Sequence, residues 1–436
     1  MEHKSFFIKS YGCQMNVYDS EKIKSLLQNK GLEHQDNYDD ADVVILNTCN
    51  IREKAAHKVY SDIGRINHSN KDKVIAVVGC VAQAENTEML KKNQSIDIVL
   101  GPQSYHLLPT MLDDVRDRKI RSINTEFIVN EKFDYLSEQG KPKGVSSFVT
   151  IQEGCDKFCS FCVVPYTRGP EYSRNYNSII DEVNSMVNNG AREIVLLGQN
   201  VNAYQFKNGN KIYRLSDLID KLTTIKDLKR IRYTTSHPIN MDDELIDLHS
   251  NNKKLMPFLH LPVQSGSSKI LKMMNRKYDV EFYRDIIFKI RDKSPNIEIS
   301  SDFIIGYPGE SEQDFINTLE LIDDIKFTQS YSFIYSPRPG TKSAMIEDNL
   351  TKKVKSERLK ILQSKLTEIQ HDFNKTHVGK KTSVLIENQS TTNPEYYFGR
   401  TPYMQSVYIK SNHLINGEEK DIKITSCNHK SLYGTC

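Results

Sequence analysis

The sequence lacks two features that membrane and secreted proteins require. No apolar run reaches the ~18 to 20 residues of a membrane-spanning helix. The first residues, MEHKSFFIKSYG, contain neither the apolar stretch nor the small-residue cleavage site of a secretory signal. We therefore expect a cytoplasmic protein with no membrane partner.

A strong charge of either sign is also absent. The 436 residues carry a formal net charge of +3, with 26% charged and 38% apolar residues, which is typical of soluble globular chains. From Lys375 to the end there are eight Lys and Arg against five Asp and Glu. This mild basic bias suits an anionic partner, although a solvated surface explains it almost as well.

A disulfide framework is not expected, because cytosolic chains of this length keep their thiols reduced. Eight cysteines are present nevertheless. Their positions are Cys13, Cys49, Cys80, Cys155, Cys159, Cys162, Cys427 and Cys436. Cys427 and Cys436 have no partner at ligand spacing and are interpreted as ordinary thiols. The other six need a chemical explanation.

Alternating strand and helix patterns predict an α/β fold in several domains. Residues 1–125 contain short apolar runs, each followed by a helix-like segment, which predicts an open parallel sheet. Residues 126–146 lack periodicity and are interpreted as a linker. Residues 147–375 contain six further alternations, which predict a partial β/α barrel. Residues 376–436 contain short alternating runs and predict a small antiparallel β-barrel.

Cys155, Cys159 and Cys162 follow a predicted strand with CxxxCxxC spacing. Three thiolates on one loop can hold a cubane iron–sulfur cluster and leave one iron open to a substrate or cofactor. Zinc is the main alternative, but structural zinc sites use four protein ligands, and no His lies nearby to complete the set.

Cys13, Cys49 and Cys80 are spread over the first domain, one after each of the apolar runs 6–8, 42–46 and 74–78. Because the carboxyl ends of parallel strands converge on one crevice, we expect these thiols to face each other at helix N-termini, which favour thiolate. Three structural cysteines are the alternative. The CxxxCxxC set favours a second three-cysteine cluster.

The CxxxCxxC motif, with Phe161 before its last cysteine, resembles the radical S-adenosylmethionine superfamily. The three-domain order extends the likeness to the methylthiotransferase family over almost the whole chain, and the last domain is similar to the RNA-binding TRAM module. Within that family, five segments are similar to the dimethylallyladenosine branch (the MiaB type). They are residues 11–16 (YGCQMN), 162–171 (CVVPYTRGPE), 196–204 (LLGQNVNAY), 260–267 (HLPVQSGS) and 302–310 (DFIIGYPGE).

The resemblance implies two 4Fe-4S clusters, S-adenosyl-L-methionine as cofactor, a tRNA substrate and an external electron donor, in a protein that we expect to be monomeric. It implies transfer of a methylthio group to carbon 2 of an adenine next to the anticodon. An aromatic C–H of this kind has no useful acidity, so a radical is required. The alternatives are the same chemistry on threonylcarbamoyl-adenosine or on a ribosomal-protein aspartate, and a non-catalytic iron–sulfur protein that binds RNA or senses redox state.

Other candidate residues lie after the barrel strands, where β/α barrels gather their chemistry. The resemblance implies that cofactor contacts come from Gln199, Gln264, Ser265, Gly306 and Glu310, with Asn200 and His237 nearby. Turn chemistry explains residues 307–310 about as well. Arg168 and Arg174 are candidates to meet a phosphate or a cofactor carboxylate, although a surface Arg usually meets neither. In the last domain, Tyr397, Phe398 and Arg400 are candidates to bind RNA, with aromatic core packing as the alternative.

Overall fold

The computed structural model describes residues 3–49, 53–69, 72–127, 144–391 and 393–436, so most of the predicted linker lies outside the described residues. The chain divides into two compact units. The first comprises the described parts of Met1–Lys141 together with Glu153–Asp156 and Val163–Arg174. The second comprises the described parts of Pro142–Gln152 together with Lys157–Cys162 and Asn175–Cys436. None of the described helices combines the length and the apolarity that crossing a membrane requires.

The first unit is built on a six-stranded parallel sheet with the order β2-β1-β3-β4-β5-β6. Its strands are β1 Ser5–Ser10, β2 Glu33–His34, β3 Val43–Thr48, β4 Val74–Gly79, β5 Ile98–Leu100 and β6 Ser122–Asn124. Its α-helices are Gln14–Asn29, Glu53–Ser69, Cys80–Glu85, Thr87–Lys92, Leu108–Arg118 and Val164–Thr167.

Both faces of this sheet are covered, which explains the unbroken apolar runs of its central strands. Val43 and Ile45 join one core cluster, whereas Val44 and Leu46 join another. All six residues of β3 and all six of β4 are buried. A strand buried on both faces reads as a continuous hydrophobic run, as the sequence of these strands does.

The second unit contains two three-stranded parallel sheets, β13-β10-β7 and β14-β15-β16. The chain continues with β7 Ser146–Thr150 and with two short strands, β8 Gln152–Glu153, where the second unit gives way to the first, and β9 Tyr172–Ser173, which belongs to the first unit. The further strands of the second unit are β10 Glu193–Leu197, β11 Gln205–Asn208, β12 Lys211–Arg214, β13 Arg230–Thr234, β14 Phe258–His260, β15 Glu298–Ile305 and β16 Gln329–Ile334. A parallel bridge joins Ile231 to Leu255, the latter in the segment that leads into β14. The predicted partial β/α barrel is confirmed.

Helices alternate with these strands and bury one face each against a common core. They are Tyr176–Asn188, Leu215–Thr223, Asp243–Asn251, Ser268–Met273, Val280–Lys293, Glu312–Ile325 and Lys352–Lys375. Their starts are set by side chains that accept backbone hydrogen bonds. Asn175 accepts from the N–H groups of Asn177 and Ser178, and Ser311 forms a capping box with Asp314.

The last segment closes into a five-stranded barrel with the order β17-β18-β19-β21-β20. Its strands are β17 Lys381–Gln389, β18 Tyr396–Arg400, β19 Ser406–Lys410, β20 Glu419–Cys427 and β21 Ser431–Thr435. The alternating runs 383–386, 406–409 and 421–424 predicted β17, β19 and β20, whereas no run predicted β18 or β21. The pairing of β19 with β21 is parallel and the other four pairings are antiparallel.

Buried arginines of β13 form hydrogen bonds with this barrel within the second unit. Arg230 donates from Nε to Glu419 Oε1 at 2.7 Å and from Nη1 to the Arg400 carbonyl at 2.7 Å. Arg232 donates from Nη2 to the Thr401 carbonyl at 3.0 Å. Charge-assisted hydrogen bonds of this kind fix the register of the barrel on its neighbour.

Candidate functional site

Cys13, Cys49 and Cys80 lie at one edge of the first sheet. β1, β3 and β4 are adjacent and parallel, and each cysteine follows the carboxyl end of one of them. Cys13 is the N-cap of the helix Gln14–Asn29, and Cys80 opens the helix Cys80–Glu85. The spacing of about one strand–helix–strand repeat has brought the three residues to the edge that the sequence predicts.

Gly12 allows Cys49 to approach the chain next to Cys13. An ideal Cβ on Gly12 would lie 2.3 Å from Cys49 Cβ and 2.6 Å from Cys49 Sγ, and φ of Gly12 is +93°. Side chains rarely adopt this φ, and the close contact leaves no room for one. Glycine at this position therefore lets the second thiol lie directly beside the first.

We expect Gly12→Ala to lower the iron content of the first sheet's cysteine site by about half or more, because Cys49 must move to admit the methyl group. Iron analysis of a variant in which Cys159 is also replaced by alanine reports this site alone. The matched control is Gly31→Ala, which has a similar φ of +87° but no atom within 4 Å of the added carbon. Equal losses in both variants would assign the effect to backbone strain and contradict the contact with Cys49.

The electrostatic surroundings shift the pKa values of Cys13 and Cys80 in opposite directions and favour thiolate at Cys13. A hydrogen bond from Cys49 lowers the pKa of the Cys13 thiol to about 6, and the charge of Arg168 acts in the same direction against the effect of burial. Burial raises the pKa of Cys80, and the charge of Arg168 opposes that shift. Thiolates are the form in which cysteine binds metal.

Arg168 is the centre of a buried network in the first unit and is 2% exposed. Its Nε donates to Cys80 Sγ at 3.4 Å. Its Nη2 donates to Asp19 Oδ2 at 2.8 Å and to Asn16 Oδ1 at 3.1 Å. Its Nη1 donates to Glu153 Oε1 at 3.0 Å. The guanidinium is thus committed to protein partners, and the expectation that Arg168 meets a phosphate or a cofactor carboxylate is wrong.

Arg174 also has a protein partner, since its Nη1 donates to the Tyr18 hydroxyl at 3.1 Å. Gln103 completes the network around Arg168 by donating to Glu153 Oε2 and to the Arg168 carbonyl, both at 2.9 Å. No sequence motif reveals this network, because its members are up to 152 residues apart.

The CxxxCxxC loop contributes Cys155 to the first unit and Cys159 and Cys162 to the second. The backbone N–H of Cys155 donates to the Gly169 carbonyl at 3.2 Å. Gly154, just before it, has φ of +73°, and a Cβ there would lie 1.8 Å from the Pro170 carbonyl oxygen. Only glycine fits where two backbone segments approach this closely.

The other end of the loop is held by the segment that follows the fourth barrel strand. Ser160 Oγ donates to the Met273 carbonyl at 2.6 Å, and the Cys162 N–H donates to the Cys159 carbonyl at 3.0 Å. Arg276, 6% exposed, donates from Nη1 to Cys159 Sγ at 3.5 Å. Arg276 could not be identified from the sequence, since a single Arg in the segment KMMNRKYDV carries no recognisable signal.

Thiolates are the ligands that iron–sulfur clusters use, and in a cubane each thiolate binds a different iron. Three ligands therefore need not converge on one point. Among the described residues, no three His, Cys, Asp or Glu side chains are grouped to hold a single metal ion. The donor set at both places fits a cluster rather than one ion.

The carboxyl ends of β10 and β13 hold buried polar groups. The Asn200 N–H donates to Gln152 Oε1 at 3.0 Å, and Asn200 Nδ2 donates to Asn240 Oδ1 at 3.2 Å. Burial lowers the pKa of His237 to about 2, so the ring is neutral at pH 7. Within the described residues, His237 Nε2 has no hydrogen-bond partner. A buried polar atom without a partner points to a ligand or water at that position.

The remaining candidates for cofactor binding differ in their exposure and in whether their polar atoms already have protein partners. Gln199 is half-buried, while Gln264 is 8% exposed with φ of +78°. Ser265 Oγ accepts from the Ser267 N–H at 3.2 Å. Glu310 Oε2 accepts from the Gly306 N–H at 3.0 Å and from Arg358 Nη1 at 2.8 Å. Ser265 thus stabilises the loop that contains Gln264, and Glu310 stabilises the loop that contains Gly306.

On the C-terminal barrel, the structure corrects one predicted RNA contact. Tyr397 is 6% exposed and packs in the barrel core, because alternate residues of β18 point to opposite faces. Phe398 points outward, and Arg400 lies over its ring at 5.2 Å while its Nη1 donates to both oxygens of Glu387. The core-packing alternative is therefore right for Tyr397.

Phe398 belongs to a row of aromatic rings across three strands, which we call the aromatic row (Phe398, Tyr408 and Tyr433). Cross-strand pairing sets Phe398 opposite Tyr408 and Tyr408 opposite Tyr433. The ring centroids lie 5.6 Å and 5.7 Å apart, and Tyr408 is 37% exposed. The sequence analysis missed Tyr408 and Tyr433, because their alignment depends on strand pairing.

Comparison with known proteins agrees with this arrangement. Three family models match: "Uncharacterized protein family UPF0004" at residues 5–101, "Radical SAM superfamily" at 149–322 and "TRAM domain" at 375–436. The protein of Rickettsia canadensis named tRNA-2-methylthio-N(6)-dimethylallyladenosine synthase is 52% identical over 441 residues, covering 99% of both chains. The protein of the same name from Rickettsia conorii is 51% identical with the same coverage.

Solved structures show likeness of fold alone. The radical S-adenosylmethionine methyltransferase TsrM from Kitasatospora setae, with cobalamin and a 4Fe-4S cluster bound, aligns with a TM-score of 0.57 at 13% identity, covering 79% of this chain and 77% of that one. The cobalamin-dependent radical enzyme OxsB aligns with a TM-score of 0.52 at 10% identity, covering 84% of this chain and 57% of that one.

Proposed function

Because this chain belongs to the family of tRNA-2-methylthio-N(6)-dimethylallyladenosine synthases, we propose that it converts N(6)-dimethylallyladenosine next to the anticodon of tRNA to its 2-methylthio derivative. It is a radical S-adenosylmethionine enzyme and a transferase. The observation that carries the proposal is full-length similarity at about half identity, with a cysteine set at each expected position. The chain uses S-adenosyl-L-methionine and two 4Fe-4S clusters.

Cys155, Cys159 and Cys162 would hold one cluster, and Cys13, Cys49 and Cys80 the other. When bound, the clusters and S-adenosylmethionine supply a carbon-centred radical and the methylthio sulfur. The protein's own contribution is to keep the thiols in place and to lower the pKa of the Cys13 thiol. Gly12 and Gly154 admit the close approaches that this requires, and Arg168 and Arg276 each donate a hydrogen bond to one ligand sulfur.

We further propose that the polar groups at the carboxyl ends of the barrel strands bind the cofactor. Gln199, Gln264 and Gly306 are the direct candidates, and Ser265 and Glu310 position their loops. His237 supports this proposal, because its neutral ring accepts from the Ile239 N–H at Nδ1 and therefore carries its proton at Nε2, from which it can donate a hydrogen bond without adding charge.

The aromatic row is proposed as the surface on which unpaired RNA bases stack. Every base has an apolar face, so aromatic rings on a β-barrel bind single-stranded RNA with little dependence on sequence. Arg400 lies over the ring of Phe398 and is held there by its ion pair with Glu387, which fixes the end of the row. The unpaired anticodon loop offers bases that need no melting.

Tyr408→Ala is expected to weaken binding of a dimethylallyladenosine anticodon stem-loop about tenfold, because stacking on an aromatic ring contributes about 1–3 kcal/mol per base. Fluorescence anisotropy at one fixed salt concentration gives the dissociation constant. Ile415→Ala, at a residue of the same barrel that is 61% exposed, is the matched control and should leave it unchanged. An unchanged constant for Tyr408→Ala, with the fold intact by circular dichroism, rejects the aromatic row as an RNA surface.

We also propose that the enzyme is a cytoplasmic monomer that receives electrons from an external donor. Reductive cleavage of the cofactor consumes an electron that amino-acid side chains do not supply. Light scattering on a size-exclusion column tests the monomer, and a chemical reductant in place of the donor tests the requirement for electrons.

The function is tested by reconstituting the clusters anaerobically with S-adenosylmethionine, reductant and sulfide. Separate reactions contain an anticodon stem-loop with dimethylallyladenosine, one with threonylcarbamoyl-adenosine, and the ribosomal peptide. Mass spectrometry is expected to detect a methylthio group on the first substrate alone. A product on either of the others would retain the chemistry and reject the substrate, and failure to form 5′-deoxyadenosine with both clusters loaded would reject the enzyme.

A further inference from the structure

Two buried arginines each contact one cysteine of a different cluster site, but their charges are balanced differently. Arg276 donates from Nη1 to Cys159 Sγ at 3.5 Å, from Nη2 to the Pro262 carbonyl at 2.8 Å and from Nε to the Tyr278 hydroxyl at 2.9 Å. All three partners are formally neutral or are the ligand sulfur itself. Within the described part of the chain, no Asp or Glu forms an ion pair with Arg276.

Arg168 makes the corresponding contact with Cys80 Sγ at 3.4 Å, but it also forms ion pairs with two carboxylates. Asp19 lies at 2.8 Å and Glu153 at 3.0 Å, and their side chains are 1% and 0% exposed. The positive charge near Cys80 is therefore offset by at least as much negative charge in the same buried network.

This difference bears directly on reduction. A cluster held by three thiolates becomes more negative when it gains an electron, so a buried cation stabilises its reduced form. Hydrogen bonds to ligand sulfur act in the same direction. A cation whose charge is offset by adjacent carboxylates stabilises the reduced form less, because the carboxylates repel the added electron.

We propose that Arg276 raises the reduction potential of the cluster at Cys155, Cys159 and Cys162, while Asp19 cancels the equivalent effect of Arg168 at Cys13, Cys49 and Cys80. An electron from the donor then resides on the cluster that cleaves the cofactor, and the cluster that supplies sulfur stays oxidised. Arg276 and Arg168 act through the ligand sulfur that each contacts, so they are positioning residues and not catalytic ones. The inference rests on the cluster assignment of the proposed function.

The two clusters are separated for measurement by alanine variants. Cys49→Ala leaves the radical cluster alone, and Cys159→Ala leaves the other cluster alone. In the first background, Arg276→Met is expected to lower the ratio of reduced to oxidised cluster about tenfold at a fixed potential, which is about 59 mV for a one-electron couple. Electron paramagnetic resonance during an anaerobic redox titration gives this ratio. Arg276→Lys, which keeps the charge, should recover part of the loss.

In the second background, Asp19→Asn is expected to raise the ratio of reduced to oxidised cluster severalfold, since it removes one charge and keeps a similar shape. Arg214→Met changes a half-exposed arginine and should leave both titrations unchanged. If Arg276→Met does not bind iron, Arg276→Lys and Asp19→Asn decide the matter. Unchanged midpoints in the variants that load iron overturn the inference.

These outcomes are distinct from failure of the proposed function. Titrations need iron-loaded protein but no RNA, so shifted midpoints with no methylthio product would uphold the charge difference and reject the reaction. Normal formation of the methylthio product with unshifted midpoints would uphold the reaction and reject the charge difference.

Discussion

Gly154→Ala is expected to lower formation of 5′-deoxyadenosine at least about tenfold and to reduce iron at the CxxxCxxC site, because the added carbon meets a backbone atom. That carbon would lie 1.8 Å from the Pro170 carbonyl oxygen, and no rotamer change moves a backbone oxygen away. The segment that carries Cys155 must therefore shift. Chromatography of the cleaved cofactor and iron analysis in a Cys49→Ala background measure the two losses.

Gly209→Ala is the control for backbone conformation. Gly209 has φ of +59° and no atom within 4 Å of an added Cβ, so its substitution carries only the strain of positive φ, about 1 kcal/mol. Cofactor cleavage should be nearly normal in this variant. If Gly154→Ala cleaves the cofactor as well as Gly209→Ala does, the close approach to Pro170 is not required.

Cys49→Ala and Cys159→Ala are expected to separate the two halves of the reaction. Cys49→Ala should abolish the methylthio product while 5′-deoxyadenosine still forms, because only the second cluster site loses a ligand. Cys159→Ala should abolish both, since without its cluster the cofactor receives no electron. Mass spectrometry of the RNA and chromatography of the cleaved cofactor are performed on the same reactions.

Cys427→Ala is the matched control for loss of a thiol. Cys427 packs at the edge of the C-terminal barrel core and should keep both products and the full iron content. Retention of the methylthio product in Cys49→Ala would remove this cysteine from the sulfur-donating site, whatever the iron content.

The placement of the six cysteines followed from local patterns. Apolar runs such as residues 42–46 are buried strands, and in a parallel α/β sheet the residue after each strand lies at a common edge. Two of the six alternations predicted strands at residues 193–197 and 230–234, and β10 and β13 have these bounds. Such patterns predict strands correctly because a strand that is buried on both faces consists of consecutive apolar residues.

The β-barrel was harder to predict, since its short strands alternate and their pairing is not local. β18 contains adjacent aromatics, and only the register of the strand decides that Tyr397 points inward and Phe398 outward. The alignment of Tyr408 with Tyr433 requires the parallel pairing of β19 and β21, which no sequence spacing indicates.

The sequence by itself determined an iron–sulfur site, because three thiols at CxxxCxxC spacing follow a strand that hydrophobicity identifies, and the resemblance carried by that motif implied the cofactor chemistry. Tertiary structure alone decided the electrostatics around those thiols. Arg168 is 149 residues from Asp19 and 15 residues from Glu153 in the sequence, yet it contacts both. Arg276 contacts Cys159, which is 117 residues away. The physical reason is that the electrostatic effect of a buried charge depends on the groups within a few ångströms of it. Folding brings those groups together from distant segments of the chain.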